Sequence, residues 1–509
     1  MVQLLRAKCS TAAAGVAILA CLVSADYPAL TPSKSCCQAL ATGPGLQGKV
    51  LFPNSAAYTA RVDSIWSFDA ALAPWCVVMP ESTADTSAVM KIIHGNQCPF
   101  GIRSGGHAVF AGSNSVEDGV TIDFGYMNGT SYDAATNTAS LQPGGRWGDV
   151  YSALGEHSVG VAGGGQTTVG VAGFLLGGGM SFFNNAYGFG CDTVKNVQLV
   201  LANGSVIDAN AHQNRDLWVS LKGGSGNFGL VTRFDLEAIP LASNTTHKAL
   251  LWAGTMSWNI SQIYRVLDTM VNFTDHVGQD EASSSHILTG YVSGVGYALL
   301  GALENKDNVD PVAFDAYKAI PERLSSTLRS DTLYNAALEF SGSPRSYNIW
   351  IPGAVRNDAA LQRWIYDRHD VLIDKLIEIL PANASWSSVL QLQPISLPMI
   401  AAGKGTNSIG LDNMTAPGIM TSISFTTDSA DVEQVAHPLV LACQRDIDNH
   451  AAALDAMWSW RYLNYADLTY DPIASYGTVS VERMRQVSTK YDPDGVFQKL
   501  RKSGFKIPS

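Results

Sequence analysis

The chain has 509 residues, of which 46% are hydrophobic and 15% are charged. An apolar fraction of this size excludes a disordered chain, and the low charge excludes a long solvated coiled coil. Lysine and arginine total 33 against 44 aspartates and glutamates, so the net charge is −11. Because an acidic surface repels phosphate backbones and anionic lipid, this charge argues against a nucleic-acid or membrane-surface partner.

Residues 1–25 have the pattern of a secretory signal peptide. Arg6 and Lys8 precede an apolar run at residues 11–23, and small residues follow at the end of that run. The run is short for a bilayer span, which disfavours the alternative of a membrane anchor, and no later run of about 18 apolar residues exists. We therefore predict a secreted protein with no membrane partner.

Two further features are typical of a secreted chain. Six cysteines follow the signal peptide without metal-ligand spacing, so we predict disulfides and no metal site. The pairing among Cys36, Cys37, Cys76 and Cys98 is open. The other two cysteines lie in apolar surroundings that predict inert buried thiols, at Cys191 and Cys443. We expect N-glycans at some of seven Asn-x-Ser/Thr sites: Asn128, Asn203, Asn244, Asn259, Asn272, Asn383 and Asn413.

The glycine content and the pattern of apolar residues change along the chain, and together they predict one compact protein with two domains. Short strands and helices punctuated by glycine predict a first domain at 26–240, and longer amphipathic patterns predict a second at 241–455. Residues 456–509 form a C-terminal segment. Strands are predicted at 75–79, 100–103, 120–124, 230–234 and 420–425. Helices are predicted at 82–93, 215–221, 361–379, 432–460 and 480–490.

Residues 224–229 match the G-x-G-x-x-G dinucleotide fingerprint letter for letter. That fingerprint works after a strand and before a helix, because the helix N-terminus must face the pyrophosphate. Here a predicted helix precedes the glycines and a predicted strand follows them. We therefore interpret 224–229 as a glycine turn whose backbone can still approach a cofactor closely.

The pentapeptide RSGGH at 103–107 is the most informative short motif. Two glycines after a serine permit a nest of backbone N–H groups that can cradle phosphate oxygens. His107 follows at once, either as a group at the rim of that cradle or as a loop histidine bonded to a carbonyl.

Further glycine-rich segments favour the interpretation that His107 lies at the rim of a ligand cradle. Glycine-rich stretches lie at 142–149, 163–173 and 177–179. Glycine in regular structure costs roughly 0.5–1 kcal/mol relative to alanine, which a fold accepts where backbone must pack against a large flat group. Several glycine loops from one region predict a long extended ligand such as a dinucleotide.

These segments resemble the FAD-linked oxidases of the vanillyl-alcohol oxidase type, in their berberine-bridge-enzyme-like branch. The resemblance covers nearly all of the mature chain. The segments that carry it are 103–107, 168–194, 222–232, 462–465 and 490–497. It implies an α+β fold, in which a two-subdomain PCMH-type FAD-binding domain joins an α/β substrate domain whose antiparallel sheet is covered by helices.

The resemblance implies FAD bonded covalently through His107 to the 8α-methyl carbon of the flavin. Many relatives add a second bond through a cysteine, whose place Gln166 takes here. No cysteine lies between Cys98 and Cys191, so a single link is expected. The residues expected to bind the cofactor are Arg103, Ser104, Gly105, Gly106, His107, Ser113, Gln142, Gly144, Thr168, Gly170, Gly173, Gly178, Asp192, Gly229, Val231, Asn464 and Tyr465.

The resemblance also assigns catalytic roles. Val169 occupies the gatekeeper position, where valine is associated with oxygen access and therefore with an oxidase. Tyr462 is the expected base, provided that a cationic or hydrogen-bonding neighbour lowers its pKa from about 10. Ser422 and Ser424 replace the ionisable or amide residues common on the substrate-side strand.

The resulting hypothesis is a secreted, monomeric oxidase that takes hydride from an alcohol, carbohydrate or phenolic hydroxyl and passes electrons to O₂, giving H₂O₂. One alternative is a secondary-metabolite oxidocyclase on the same scaffold, and another is a non-catalytic secreted glycoprotein. Four histidines outside any motif are expected to be structural: His157, His369, His437 and His450.

Overall fold

The computed structural model describes residues 32–242, 250–341 and 345–509. The predicted signal peptide and the glycosylation site at Asn244 lie outside these ranges. Within them, no helix is both long enough and apolar enough to cross a membrane.

A four-stranded sheet opens the fold, with the strand order β1-β2-β4-β3. Its strand β4 runs parallel to β2 and β3, and α3 forms the crossover from β2 to β3. The strands are β1 (Val50–Leu51), β2 (Cys76–Val78), β3 (Phe100–Arg103) and β4 (Val120–Asp123). The helices of this part are α1 (Pro32–Thr42), α2 (Ala56–Asp63) and α3 (Thr83–Gly95). The strands and the helix predicted here are confirmed, and the Ser82 hydroxyl caps α3 by accepting from the Asp85 amide.

Two disulfides attach α1 to this sheet. Cys36 pairs with Cys98 and Cys37 with Cys76, which settles the pairing that the sequence left open. Cys191 and Cys443 are free and buried, as predicted. The paired cysteines are 62 and 39 residues apart, so each bridge closes a long loop of the unfolded chain.

Replacing Cys36 or Cys37 by serine should lower the free energy of unfolding by about 2–5 kcal/mol. The reason is that each bridge restricts the unfolded chain and leaves a buried thiol partner when it is lost. Urea denaturation measures the change, with Cys443→Ala as the control for loss of a buried thiol. A loss no larger than that of the control would show that the bridges do not hold this part of the fold.

A five-stranded antiparallel sheet follows, in the order β5-β6-β10-β8-β9. A separate two-stranded sheet pairs β7 with β11. The strands of these two sheets are β5 (Thr130–Asp133), β6 (Thr138–Leu141), β7 (Val159–Gly160), β8 (Val194–Val200), β9 (Val206–Asn210), β10 (Leu230–Glu237) and β11 (Ile239–Pro240). Its helices are α4 (Trp147–Gly155), α5 (Val171–Leu176), α6 (Asn184–Tyr187) and α7 (Arg215–Leu221). Residues 224–229 join α7 to β10 as a turn, which confirms that they are not a Rossmann fingerprint.

The third sheet has eight strands and is antiparallel throughout. Its order is β15-β12-β14-β13-β18-β19-β17, and β16 also pairs with β12. The strands are β12 (Leu250–Trp258), β13 (Ser283–Val292), β14 (Gly296–Asn305), β15 (Arg323–Ser326), β16 (Arg329–Thr332), β17 (Tyr347–Arg356), β18 (Trp386–Ile395) and β19 (Gly418–Thr427). The helices are α8 (Ile263–His276), α9 (Asp315–Lys318), α10 (Leu333–Glu339), α11 (Ala359–Ile379), α12 (Leu397–Gly403) and α13 (Ala430–Ala453).

The two faces of this sheet differ in polarity because strand side chains alternate. On one face Leu390, Leu392 and Ile423 join the apolar core that α8, α11 and α13 cover. The opposite face carries Gln391 and Gln393, which line a cavity. The predicted α+β class, with an antiparallel sheet covered by helices, is confirmed.

The helix predicted at 432–460 ends earlier than expected. It stops at Ala453, because Asp455 takes a φ of +52° and Met457 then pairs with Val355 in an isolated bridge. Two helices follow, α14 (Thr478–Tyr491) and α15 (Val496–Lys499). The chain then returns to the first sheet, where Arg501 pairs with Phe100.

Candidate functional site

A cavity of about 530 Å³ lies between the glycine loops of the N-terminal half and the polar face of the eight-stranded sheet. This volume falls within the range of ligand pockets, about 300–1,000 Å³. The wall includes 104–110, 164–166, 169–170, 172–173, 225–226, 462–466, 501 and 503–505 together with residues of strands β13, β14 and β18.

The loop at 104–107 is packed directly against the loop at 164–173. A Cβ added to Gly105 would lie 2.6 Å from the Gly170 backbone, so both positions require glycine. Gly106 takes a φ of +71°, a conformation that side chains rarely tolerate. The two glycine systems singled out in the sequence therefore form one surface.

Two polar side chains fasten these loops together. The Arg146 guanidinium donates to the Gly105 carbonyl at 2.8 Å and to the Thr168 carbonyl. The Ser104 hydroxyl donates to the Pro143 carbonyl and accepts from the Ala172 amide at 3.2 Å. The loop is thus held from both sides.

His107 is held as a neutral ring at the cavity wall. It stacks on Trp66 with ring centroids 4.2 Å apart, and its Nε2 lies 3.1 Å from the Thr168 hydroxyl. Burial and the nearby Arg146 guanidinium lower the pKa of His107 to about 4. At neutral pH the imidazole therefore keeps a lone pair, and the Thr168 contact leaves Nδ1 as its second nitrogen.

The cavity offers a flavin dinucleotide open space beside a glycine-lined backbone and one basic side chain. Gly173 lines it, and a Cβ added there would meet no protein atom within 4 Å, so the space beside this backbone is open to a ligand. Arg501 is the only basic side chain in the part of the wall that the structure describes, and Glu304 the only acidic one. The cradle is therefore built from main chain, as the glycine pattern predicts, with Arg501 as an addition that the sequence did not indicate.

Tyr462 lies in the cavity wall with its hydroxyl oxygen in a set of N–H donors. The amides of Met180 and Gly179 donate to it at 2.9 and 3.1 Å, and the Asn464 side chain donates at 3.1 Å. Burial raises the pKa of Tyr462 well above its usual value, although these hydrogen bonds oppose the shift. The hydrogen-bonding neighbours expected from the sequence are present, but the expectation that they lower the pKa of Tyr462 is wrong, because burial outweighs them. The hydroxyl is protonated at neutral pH.

Tyr465 stands between Tyr462 and the sheet. Its ring meets the Tyr462 ring edge-on at 4.9 Å and the Trp350 ring at 4.7 Å. Burial raises the pKa of Tyr465 to about 12, opposed by hydrogen bonds with Gln391 and Gln393. These two glutamines were missed in the sequence, although the alternation of residues 386–395 contains the signal for a polar face.

Eleven residues predicted to form the site line this one cavity. They are Ser104, Gly105, Gly106, His107, Ser113, Val169, Gly170, Gly173, Tyr462, Asn464 and Tyr465. Gln166 also lines it, and Ser424 does so on the substrate-side strand, whereas Ser422 is buried within that strand.

Four other predicted cofactor residues support the loops from behind. Arg103 is buried beneath Gly106 and pairs with Asp123, and Thr168 contacts His107. The Gln142 side chain accepts from the Gly129 amide, and a Cβ on Gly144 would clash with the Phe124 carbonyl. These four do not line the cavity, and their expected contact with the cofactor stays a prediction.

The remaining four predicted cofactor residues also lie outside the cavity wall. Asp192 accepts from the Asn407 side chain and the Phe189 amide, and Val231 pairs with Leu199 within the five-stranded sheet. The other two are glycines whose added Cβ would meet Ile409 or Leu199, at Gly178 and Gly229. Each of the four packs closely against protein atoms, and its contact with the cofactor stays a prediction.

The four histidines expected to be structural have protein partners. His369 contacts the Ser388 hydroxyl at 2.9 Å and His437 contacts Asp467 at 2.9 Å. His450 stacks on Trp364, and His157 lies beside Tyr132. None of the four lines the described wall of the cavity.

Comparison with known proteins agrees with this geometry. Residues 74–210 match the family described as FAD binding domain. FAD-dependent monooxygenase sdcF of Emericella nidulans is 34% identical over 490 residues, which cover 94% of this chain and 99% of that protein.

Solved structures share the fold at low sequence identity. 6-Hydroxy-D-nicotine oxidase from Arthrobacter nicotinovorans gives a TM-score of 0.76 at 20% identity, covering 92% of this chain and 99% of that one. Berberine bridge enzyme from Eschscholzia californica gives a TM-score of 0.72 at 17% identity, covering 94% and 100%. The chain is an FAD-dependent oxidoreductase, and it belongs to the berberine-bridge-enzyme-like branch of the vanillyl-alcohol oxidase family, with a PCMH-type FAD-binding domain.

Proposed function

We propose that the protein is an oxidase that removes two electrons and two protons from an alcohol, carbohydrate or phenolic hydroxyl substrate. O₂ receives both, so that one H₂O₂ forms for each substrate oxidised. The observation that carries this proposal is a single cavity bounded by the His107 loop on one side and the polar sheet face on the other. Bound FAD supplies the hydride acceptor and passes the electrons to oxygen.

His107 anchors the flavin by one covalent bond. The low pKa of the imidazole supports this role, because a neutral ring nitrogen is nucleophilic. Gln166 lies in the cavity wall, and the family resemblance gives it the place of the cysteine that forms a second link in many relatives; Cys191 is buried outside that wall. We therefore propose that there is no second bond.

In its phenolate form, whose fraction grows as pH rises, Tyr462 takes the hydroxyl proton of the substrate, and Asn464 and Tyr465 hold the flavin ring. The two amides and the Asn464 side chain around the Tyr462 oxygen stabilise its phenolate form. Gln391 and Gln393 orient Tyr465 and present neutral donors and acceptors to the substrate.

Val169 keeps space for oxygen in the cavity wall. The change Val169→Leu adds one methylene there, and overpacking typically costs 1–3 kcal/mol. We expect reoxidation of the reduced enzyme by O₂ to slow by about tenfold, equivalent to ~1.4 kcal/mol of barrier, in stopped-flow absorbance. Val169→Ala, which keeps the space open, is the control, and unchanged reoxidation in the leucine variant would remove the gatekeeper role.

The name of the sdcF relative supports a second candidate, a monooxygenase that inserts one oxygen atom into its substrate. Turnover of a substrate panel under ¹⁸O-labelled O₂ separates the two. An oxidase leaves the product unlabelled and returns one H₂O₂ per O₂ consumed. A monooxygenase places label in the product and forms less peroxide.

The domain boundaries, secretion and N-glycosylation remain proposals. Two disulfides support an oxidising compartment, and all six described asparagines of the Asn-x-Ser/Thr sites are exposed. Treatment of the protein from culture medium with an amidase that removes N-glycans should lower its mass. A chain retained inside the cell at its unmodified mass would contradict both secretion and glycosylation.

A further inference from the structure

His286 and Glu304 form a polar pair in the cavity wall that the proposed mechanism does not use. His286 lies on β13 opposite Ala302, and Glu304 lies on β14 opposite Ser284. Residues opposite each other in an antiparallel pair share a face. Both side chains therefore lie on the face that borders the cavity.

Glu304 has no hydrogen-bond partner among the described residues. It is 1% exposed, and both of its carboxyl oxygens are unpartnered. Burial, and secondarily Glu339, raises the pKa of Glu304 well above its usual range, while burial lowers the pKa of His286 to about 4. The pair is accordingly an uncharged acid beside an uncharged imidazole, each of which can donate and accept a hydrogen bond.

The spacing of the pair leaves room for one bridging oxygen. Nδ1 of His286 lies 4.0 Å from Oε1 of Glu304, beyond direct hydrogen-bond distance. An oxygen about 2.8 Å from each atom closes this gap, donating its proton to one and accepting from the other. Leaving a buried carboxyl unpartnered costs about 1–3 kcal/mol, which such an oxygen removes.

The side chains around the pair indicate which kind of chemical group supplies the bridging oxygen. The Phe340 ring lies 5.7 Å from the His286 ring, and the Phe182 ring lies 6.2 Å from Phe340. Phe182 and Phe340 both line the cavity. Aromatic side chains of this kind pack favourably against another flat ring.

We propose that His286 and Glu304 together bind a phenolic hydroxyl group of the substrate, whose oxygen bridges the two side chains and whose ring packs beside Phe340. This assignment rests on the proposed function only in taking the cavity as the substrate site. It makes the pair a determinant of specificity for uncharged hydroxylated aromatic compounds.

Isothermal titration of the holoenzyme, reduced and anaerobic so that no turnover occurs, tests the proposal. The probes are para-cresol, its methyl ether para-methylanisole, and benzylamine. We expect para-cresol to bind about tenfold more tightly than the ether. An affinity ratio of about ten is roughly what one buried hydrogen bond contributes. His286→Phe and Glu304→Met should each reduce this preference to less than about twofold. Ser387→Ala, which alters the wall elsewhere on β18, should retain it.

An infrared measurement covers the case in which a variant does not fold. Binding of para-cresol to the wild-type enzyme should shift the carbonyl band of one protonated carboxyl group, and Glu304→Gln should lack that band. Equal binding of cresol and ether with no shift shows that the pair holds water only, which overturns the proposal. Tighter binding of benzylamine than of cresol shows a cation site and overturns it as well. Because neither readout needs peroxide formation, failure of the oxidase proposal remains distinguishable.

Discussion

His107→Ala should abolish covalent flavin attachment completely. After acid precipitation, the flavin of the wild-type protein should stay with the pellet, and that of the variant should appear in the supernatant. The reason is that the neutral imidazole beside Thr168 lies at the glycine loops of the cavity, and the described wall contains no cysteine that can replace it. Absorbance of pellet and supernatant measures the division.

His157→Ala is the matched control, because His157 is an exposed histidine outside the cavity. It should retain all of its flavin in the pellet. If the His107 variant also did so, the covalent bond would have to be assigned to another residue. Flavin lost from both variants and from the wild type would mean that the cofactor is held without a covalent bond.

Tyr462→Phe should slow reduction of the flavin by substrate about 10²–10⁴-fold, the usual contribution of a general base. The substitution removes the hydroxyl but keeps the ring packed against Tyr465. Stopped-flow absorbance under anaerobic conditions measures the reduction rate without interference from oxygen. Tyr476→Phe is the control, since it removes a buried hydroxyl that has no hydrogen-bond partner in the described structure.

The pH dependence of the same rate gives a second reading of Tyr462. A base must be deprotonated, and burial raises the pKa of Tyr462 above its ordinary value of about 10. The phenolate fraction therefore grows as pH rises, so the reduction rate should increase with pH throughout pH 6 to about 10. A plateau reached below about pH 8 would assign the base to a group with a lower pKa. A rate unchanged in Tyr462→Phe would exclude Tyr462 directly.

The parts of the site that depend on backbone shape were predictable from sequence. Glycine is required at 105 and 170 because the two loops approach within van der Waals distance. A run of glycines in the sequence is a local sign of such close packing. The loop containing His107 was found for the same reason. The pairing of Cys36 with Cys98 is not predictable from sequence, because it depends on how α1 packs on the sheet, which no local pattern encodes.

The substrate side of the cavity was not predictable in the same way. Gln391, His286 and Glu304 come from three strands, and only the register of the eight-stranded sheet brings them to one face. Conversely, Asp192 and Val231 are predicted as cofactor residues from their place in motifs, yet they contact protein groups outside the cavity wall. A motif marks a segment of conserved shape within a family, but which of its side chains faces the ligand is decided by tertiary structure.

Peptide mass spectrometry tests most directly the central claim that one imidazole anchors the flavin. Trypsin cleaves after Arg103, Arg146 and Lys195, so His107 lies in the peptide 104–146 and Gln166 in the peptide 147–195. After removal of any N-glycan at Asn128, peptide 104–146 should carry the mass of one FAD, with fragmentation locating it at His107. Peptide 147–195 should be unmodified. An unmodified 104–146 peptide from flavin-containing protein, or flavin on any other peptide, would contradict the account.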